Sequence, residues 1–216
     1  MGDALYRLRT WSLTFAQRML ARSGPIEHGG LSLYVAPGVH DPAPAFGIGF
    51  APLQRAALDR IPPGASVLEL GTGAGFWALC AALRGLVVTA TDLPHVPLEP
   101  VAEAAARAGV TIELRHSDLF DELAGARFDA ILFNPPFHDA APRTLRERAW
   151  CGGEVVRRCL HSAPDHLSPG GALYLIVPRL DRRRYTEALS RWSVEVAAAR
   201  WYPLLGRTEL LVLRPR

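Results

Sequence analysis

Asn134-Pro135-Pro136-Phe137 follow the apolar run FDAILF at 128–133. The two prolines fix the backbone and remove two N–H donors. What remains is a stiff pair of acceptors, the Asn134 side-chain oxygen and the Pro135 carbonyl. Both can accept from one planar NH2 group. Accepting both hydrogens tips the nitrogen lone pair out of conjugation and towards an electrophile. Phe137 offers a flat face for an amide or a heterocycle. A neutral nucleophile held in this way needs neither a metal nor a strong base, because positioning does most of the work. Asn-Pro is also a common turn, so the place of the motif in the chain matters.

A second constellation lies upstream. Glu69-Leu70-Gly71-Thr72-Gly73-Ala74-Gly75 joins a strand-like run to a helix-like one. Glycines there let the backbone turn sharply and approach a ligand. The spacing is G-x-G-x-G, and Phe76 stands where the dinucleotide fingerprint G-x-G-x-x-G has its third glycine. Glu69 before the turn is unsuited to a pyrophosphate but tolerable beside an ammonium or sulfonium charge. Asp92 closes the next apolar run, where a carboxylate can accept both hydroxyls of a ribose. Asp118, followed by Leu119, is placed to accept from an exocyclic amine such as that of adenine. Taken singly, each acid could be a helix cap, and Asp118 is a plausible one. Together they stand at the C-terminal ends of three consecutive strands, the edge where open α/β sheets bind ligands. Glu69, Gly71, Thr72, Gly73, Gly75, Asp92, Asp118, Leu119 and Asn134 are therefore the expected cofactor-binding residues. Asn134, Pro135 and Phe137 are the expected catalytic ones. Phe46, His138 and Arg143 are the candidate substrate contacts, with Arg146 and Arg148 beside Arg143 as a handle for an anionic acceptor. His161 and His166 are five apart and fall on different helix faces, so no metal site is expected.

The elements that must position these residues follow from the pattern. Strands are expected at 66–70, 86–92, 110–115, 128–133 and 172–177. Helices are expected near 51–60, 75–84, 98–108, 119–124, 143–166 and 182–191. Short apolar strands alternating with helices give crossover connections and a parallel sheet covered on both faces. The tail differs, with SVEVAAARWYP and TELLVLRPR forming a closing hairpin whose last strand runs antiparallel. At the N-terminus, Leu5, Leu8, Trp11, Phe15 and Met19 make one stripe of a helix, stopped by Ser23-Gly24-Pro25. A Gly/Pro-rich connector with a short strand at its start spans 31–50. The expected fold is a Rossmann-like, seven-stranded, mostly parallel α/β sheet with an antiparallel C-terminal strand and a short N-terminal helix. Residues 1–50 form a helix and connector able to act as a lid, and 51–216 the main domain.

Composition sets the bounds. The chain has 216 residues, 49% hydrophobic and 21% charged, an ordinary globular balance. Collagen-like, repeat and disordered readings fail, and no apolar run approaches the roughly 18 residues of a membrane span. Three cysteines without metal spacing fit a reducing cytoplasm. All 24 basic residues are arginine, as a GC-rich genome would produce. Residues 143–191 hold 10 arginines against 5 acids. That excess is either solvated helix faces or a surface for an anionic partner.

These residues carry a resemblance. VLELGTGAG, Asp92, SDLF and FDAILFNPPF resemble the corresponding motifs of class I S-adenosylmethionine-dependent methyltransferases of the small-domain type, over residues 31–216. Pro37-Gly38-Val39 and NPPFHD resemble the catalytic half of ribosomal RNA guanine-N2 methyltransferases. Residues 148–177 are similar to short release-factor glutamine N5-methyltransferases, which work with a small activating subunit. The resemblance implies S-adenosyl-L-methionine as cofactor and methyl transfer to a nitrogen. The chain lacks the duplicated domain of the RNA enzymes and the N-terminal helical domain of the release-factor enzymes. The expected acceptor is therefore a small planar amine, with a nucleobase amine or a protein glutamine as alternatives. Hydride transfer on a nicotinamide is disfavoured by G-x-G-x-G and by NPPF. A degenerate binding domain is disfavoured by the intact acids.

Overall fold

The computed structural model describes residues 23–42, 49–136, 152–202 and 205–216. The expected N-terminal helix, with Trp11 and Phe15, lies outside them, as do Phe46, Phe137, His138, Arg143, Arg146 and Arg148.

Seven strands form one sheet: β3 (Ser66–Leu70), β4 (Val87–Asp92), β5 (Ile112–His116), β6 (Phe128–Phe133), β7 (Leu167–Pro178), β8 (Trp192–Tyr202) and β9 (Gly206–Pro215). Their order across the sheet is β5-β4-β3-β6-β7-β9-β8. The first five are mutually parallel. β9 is antiparallel to both β7 and β8, which closes the sheet with the expected hairpin. β3 and β6 are nearly continuous apolar runs because each is covered on both faces. The order reverses between β3 and β6, so the C-terminal ends of β3, β4 and β6 open a crevice there.

The helices are α1 (Ala51–Leu58), α2 (Phe76–Ala82), α3 (Glu99–Arg107), α4 (Gly153–Ser162), α5 (Arg179–Arg182) and α6 (Thr186–Leu189). The indole N–H of Trp77 on α2 donates to the Gln54 carbonyl of α1 at 3.2 Å. That of Trp192 donates to the Leu160 carbonyl of α4 at 3.1 Å. Both indoles are buried, each with its one polar atom satisfied. Phe76 and Trp77, at the start of α2, are core residues. No helix among the described residues is long and apolar enough to cross a membrane.

Several expectations need correction. The helix near 119–124 is absent, and the segment is a chain of turns. Ser117 is the reason. Its hydroxyl donates to the Leu119 carbonyl at 3.0 Å and accepts the Glu122 N–H at 3.1 Å, taking backbone groups a helix would use. Leu119 also sits at φ 56°, outside the right-handed helical region. The helix at 182–191 is two single turns, α5 and α6, joined by a 3-10 turn at Arg183–Tyr185. β7 begins at Leu167, five residues before its expected start.

One strand was not anticipated. β1 (Gly24–His28) pairs antiparallel with β2 (Leu31–Val35). Gly29 and Gly30 between them have φ of 60° and 82°, the two left-handed residues that a tight hairpin turn requires. Leu33 carries the hairpin into a small core with Phe76, Leu79, Ala104 and Ala105, which fixes it over α2 and α3.

Candidate functional site

The glycine turn is built from inside. The Glu69 carboxylate is 5% exposed, and its Oε2 accepts from the Thr72 hydroxyl at 2.7 Å and the Ala78 N–H at 3.0 Å. Burial pushes its pKa up to about 8, a rise that the two hydrogen bonds only partly offset. Glu69 and Thr72 thus brace the turn from below and do not line the crevice. Gly75, at φ 79°, starts α2, and a Cβ there would meet Val101 Cγ1 of α3 at 2.5 Å. It is a packing glycine. Gly71 and Gly73 face the open side, and a Cβ on Gly73 would meet Val39 Cγ1 at 3.0 Å.

Asp92 ends β4. Its Oδ2 accepts the Gly73 N–H at 2.7 Å and its Oδ1 accepts the Leu93 N–H at 2.8 Å. Burial raises its pKa, against those two bonds and the nearby His95 and His116. The carboxylate therefore ties the glycine turn to the neighbouring strand and still borders the crevice with its remaining lone pairs. Asp118 borders the crevice too, and both its oxygens accept from Arg158 Nη1 of α4, at 3.2 and 3.1 Å. It caps no helix.

Asn134 and Pro136 complete the wall at the end of β6. Asn134 Oδ1 is buried and has no hydrogen-bond partner among the described residues. A buried amide oxygen left without a donor costs about 1–3 kcal/mol, so it stands out against the satisfied acids next to it. Pro135 is buried behind it.

These residues surround one cavity of about 410 Å³, within the range of small-molecule sites. It brings together Gly71, Gly73, Asp92, Asp118, Leu119 and Asn134 from the expected set. Sequence reasoning missed Arg158, which is 40 residues from Asp118, and the stretch Gly38-Val39-His40 of the connector. Pro37-Gly38-Val39 had stood out only through a resemblance. His40 packs against Phe50, ring centroids 5.9 Å apart, and burial lowers its pKa to about 4, so it is neutral near pH 7.

The family model of the methyltransferase small domain matches residues 54–199. The ribosomal RNA small subunit methyltransferase C of Alcanivorax borkumensis is 34% identical over 113 residues, covering 52% of this chain and 32% of that protein. The release factor glutamine methyltransferase of Geobacter sulfurreducens is 30% identical over 173 residues, covering 69% of this chain and 57% of that protein. The chain thus spans from about a third to little more than half the length of these relatives. Among solved structures, a T. thermophilus 16S rRNA N2 methyltransferase in complex with AdoMet and guanosine superposes with a TM-score of 0.66 at 23% identity. That match covers 91% of this chain and 51% of the other, and it is a likeness of fold.

Proposed function

The chain belongs to the methyltransferase small domain family, and from that premise we propose that it transfers a methyl group to the planar nitrogen of a macromolecule, a nucleobase exocyclic amine or a glutamine side-chain amide. The cofactor is S-adenosyl-L-methionine. When bound, it supplies an electrophilic methyl on a sulfonium sulfur.

The residues present suit that cofactor. Gly71 and Gly73 leave a surface without side chains, Asp92 accepts ribose hydroxyls, and Asp118 with Leu119 serves the adenine side. Glu69 braces the turn through Thr72 and Ala78. The connector before residue 51 supplies cavity wall at Gly38 and Val39, and residues 51–216 carry the transfer machinery.

The observation that carries the reading is the unpartnered, buried Oδ1 of Asn134. An acceptor NH2 is what that oxygen lacks. Asn134 Oδ1 and the Pro135 carbonyl accept its two hydrogens, which fixes the nitrogen in the plane that aims its lone pair at the methyl. The prolines hold the acceptors still, so the alignment needs little reorganisation at the moment of transfer. The new C–N bond would form as the methyl carbon–sulfur bond breaks to leave a neutral thioether, and the nitrogen would then release its proton to water.

The sequence alone favoured a small planar amine. The relatives, named for ribosomal RNA and for protein glutamine, support the macromolecular alternatives instead. The test is transfer of labelled methyl into fractionated cell extract. Label in RNA or protein is the expected outcome. Label confined to small metabolites would restore the small-amine reading.

A further inference from the structure

The C-terminal hairpin ends on the same sheet edge as Asn134. β7 runs parallel to β6 and ends at Pro178, which faces Thr208 of β9, and β8 ends beside it at Tyr202. On one face of this corner lies a strip of a different character from the cavity. Trp201 is 73% exposed, the most exposed large apolar side chain among the described residues. Its cross-strand partner is Arg207, so the two side chains share a face. Arg207 Nε donates to Glu209 Oε1 at 3.1 Å, and Arg182 Nη1 of α5 reaches Glu209 Oε2 at 2.8 Å. Two arginines converge on one carboxylate that is 3% exposed, which leaves the strip with an excess positive charge held at fixed positions. Arg179, at the start of the same α5 turn as Arg182, and Arg183, directly after it, are both exposed and have no ion-pair partner among the described residues.

An aromatic face beside arginines is the composition that grips single-stranded nucleic acid, stacking a base while neutralising phosphates. At about 4.8 Å per strand, β8 lies roughly 14 Å from β6, within a few nucleotides of a base seated at Asn134. We propose that Trp201, Arg207, Arg182, Arg179 and Arg183 form a landing strip for the single-stranded RNA that flanks the methylated base. The inference rests on the transfer reading above and narrows its acceptor to a nucleobase.

Fluorescence anisotropy of the full chain with a short labelled oligouridine tests it. Binding should weaken with salt, with a log–log slope of about −0.7 for each phosphate contacted. Trp201→Ala should weaken binding about ten-fold and Trp201→Phe should recover most of it. Arg179→Gln with Arg183→Gln should make the slope shallower by about 1.4. S-adenosylmethionine binding by calorimetry should stay unchanged in every variant. Salt-independent binding, or an unchanged affinity in Trp201→Ala, would overturn the strip while leaving the transfer reading standing. So would strip variants that lose methyl transfer to protein but keep it to RNA, since the surface would then serve a polypeptide. A parent chain that binds no S-adenosylmethionine would remove the transfer reading and this proposal with it.

Discussion

The turn after β3 and the turn after β6 lie on the same edge of the same sheet, yet they treat their polar groups in opposite ways. At the first, Glu69, Thr72, Gly73 and Asp92 are joined by short hydrogen bonds, and the loop is a closed circuit. At the second, two prolines remove donors, and Asn134 Oδ1 is buried with nothing among the described residues to accept from. The first turn holds a shape whether or not a ligand is present. The second holds one atom ready. A region that positions a cofactor can satisfy itself, whereas a region that must grip a reacting group has to leave a valence open.

That contrast can be broken by experiment. Asn134→Ala should lower kcat by about 10²- to 10³-fold, the range found when one oriented partner of a reacting group is lost, with cofactor affinity unchanged. Steady-state kinetics beside calorimetry measures both. A parental kcat would mean that another residue aligns the acceptor. Asp92→Ala should show the reverse pattern. Cofactor affinity should fall by about 2–4 kcal/mol, because bonds to a charged acceptor are worth roughly 1.5–3 kcal/mol each and need not add. Tight binding of NAD by the parent chain would contradict the cofactor assignment outright.

Gly75→Ala sharpens the distinction between lining and packing glycines. The new Cβ meets Val101 at 2.5 Å from a left-handed backbone, so stability should drop by about 2–3 kcal/mol. Chemical denaturation measures that loss. Gly71→Ala, where nothing lies within 4 Å of the added Cβ, should bear only the backbone term. Equal losses at the two positions would refute the distinction.

The pH dependence of stability turns on Glu69. Its folded-state pKa, about 8, lies above its ordinary value of 4.5. Between those values the folded chain keeps a proton that the unfolded chain has released. Stability should therefore decline as pH rises through that window and be level below it, with a slope of at most about 1.4 kcal/mol per pH unit. Glu69→Gln keeps an acceptor for Thr72 and Ala78 and should flatten the profile. Thermal melts of both proteins from pH 5 to pH 8 make the comparison. A parent and variant with parallel profiles would show that Glu69 is ionised in the fold.

The parallel sheet was legible because β3, β4 and β6 are apolar runs of strand length bounded by glycine, proline or acid. The cavity-lining acids were legible because ligand-facing positions follow strand ends. The direction of the Glu69 side chain was not. In a strand covered on both faces no alternation of polarity marks which side a residue takes, and only the register against Ala90 and Leu132 settles it. The pair between Asp118 and Arg158 spans 40 residues and leaves no local trace. The hairpin at 24–35 did leave one, the Gly29-Gly30 pair between two short runs, which the proline at 25 obscured. The lost helix at 119–124 turned on one serine hydroxyl competing for backbone bonds.

Gly152 has a consequence for how such a protein can change over time. Pro136 follows the end of β6 and Gly152 directly precedes α4, and an added Cβ on Gly152 would come within 2.9 Å of the Pro136 ring. Pro136 and Gly152 therefore touch, and only a residue without a side chain lets them do so. Where two such anchor points are fixed, added chain between them comes at slight thermodynamic expense, since doubling a loop costs only about 0.6 kcal/mol. Gly152 thus holds the start of α4 against the end of β6, so that insertions or exchanges of sequence between the two can accumulate while Asn134 and the cavity wall keep their places.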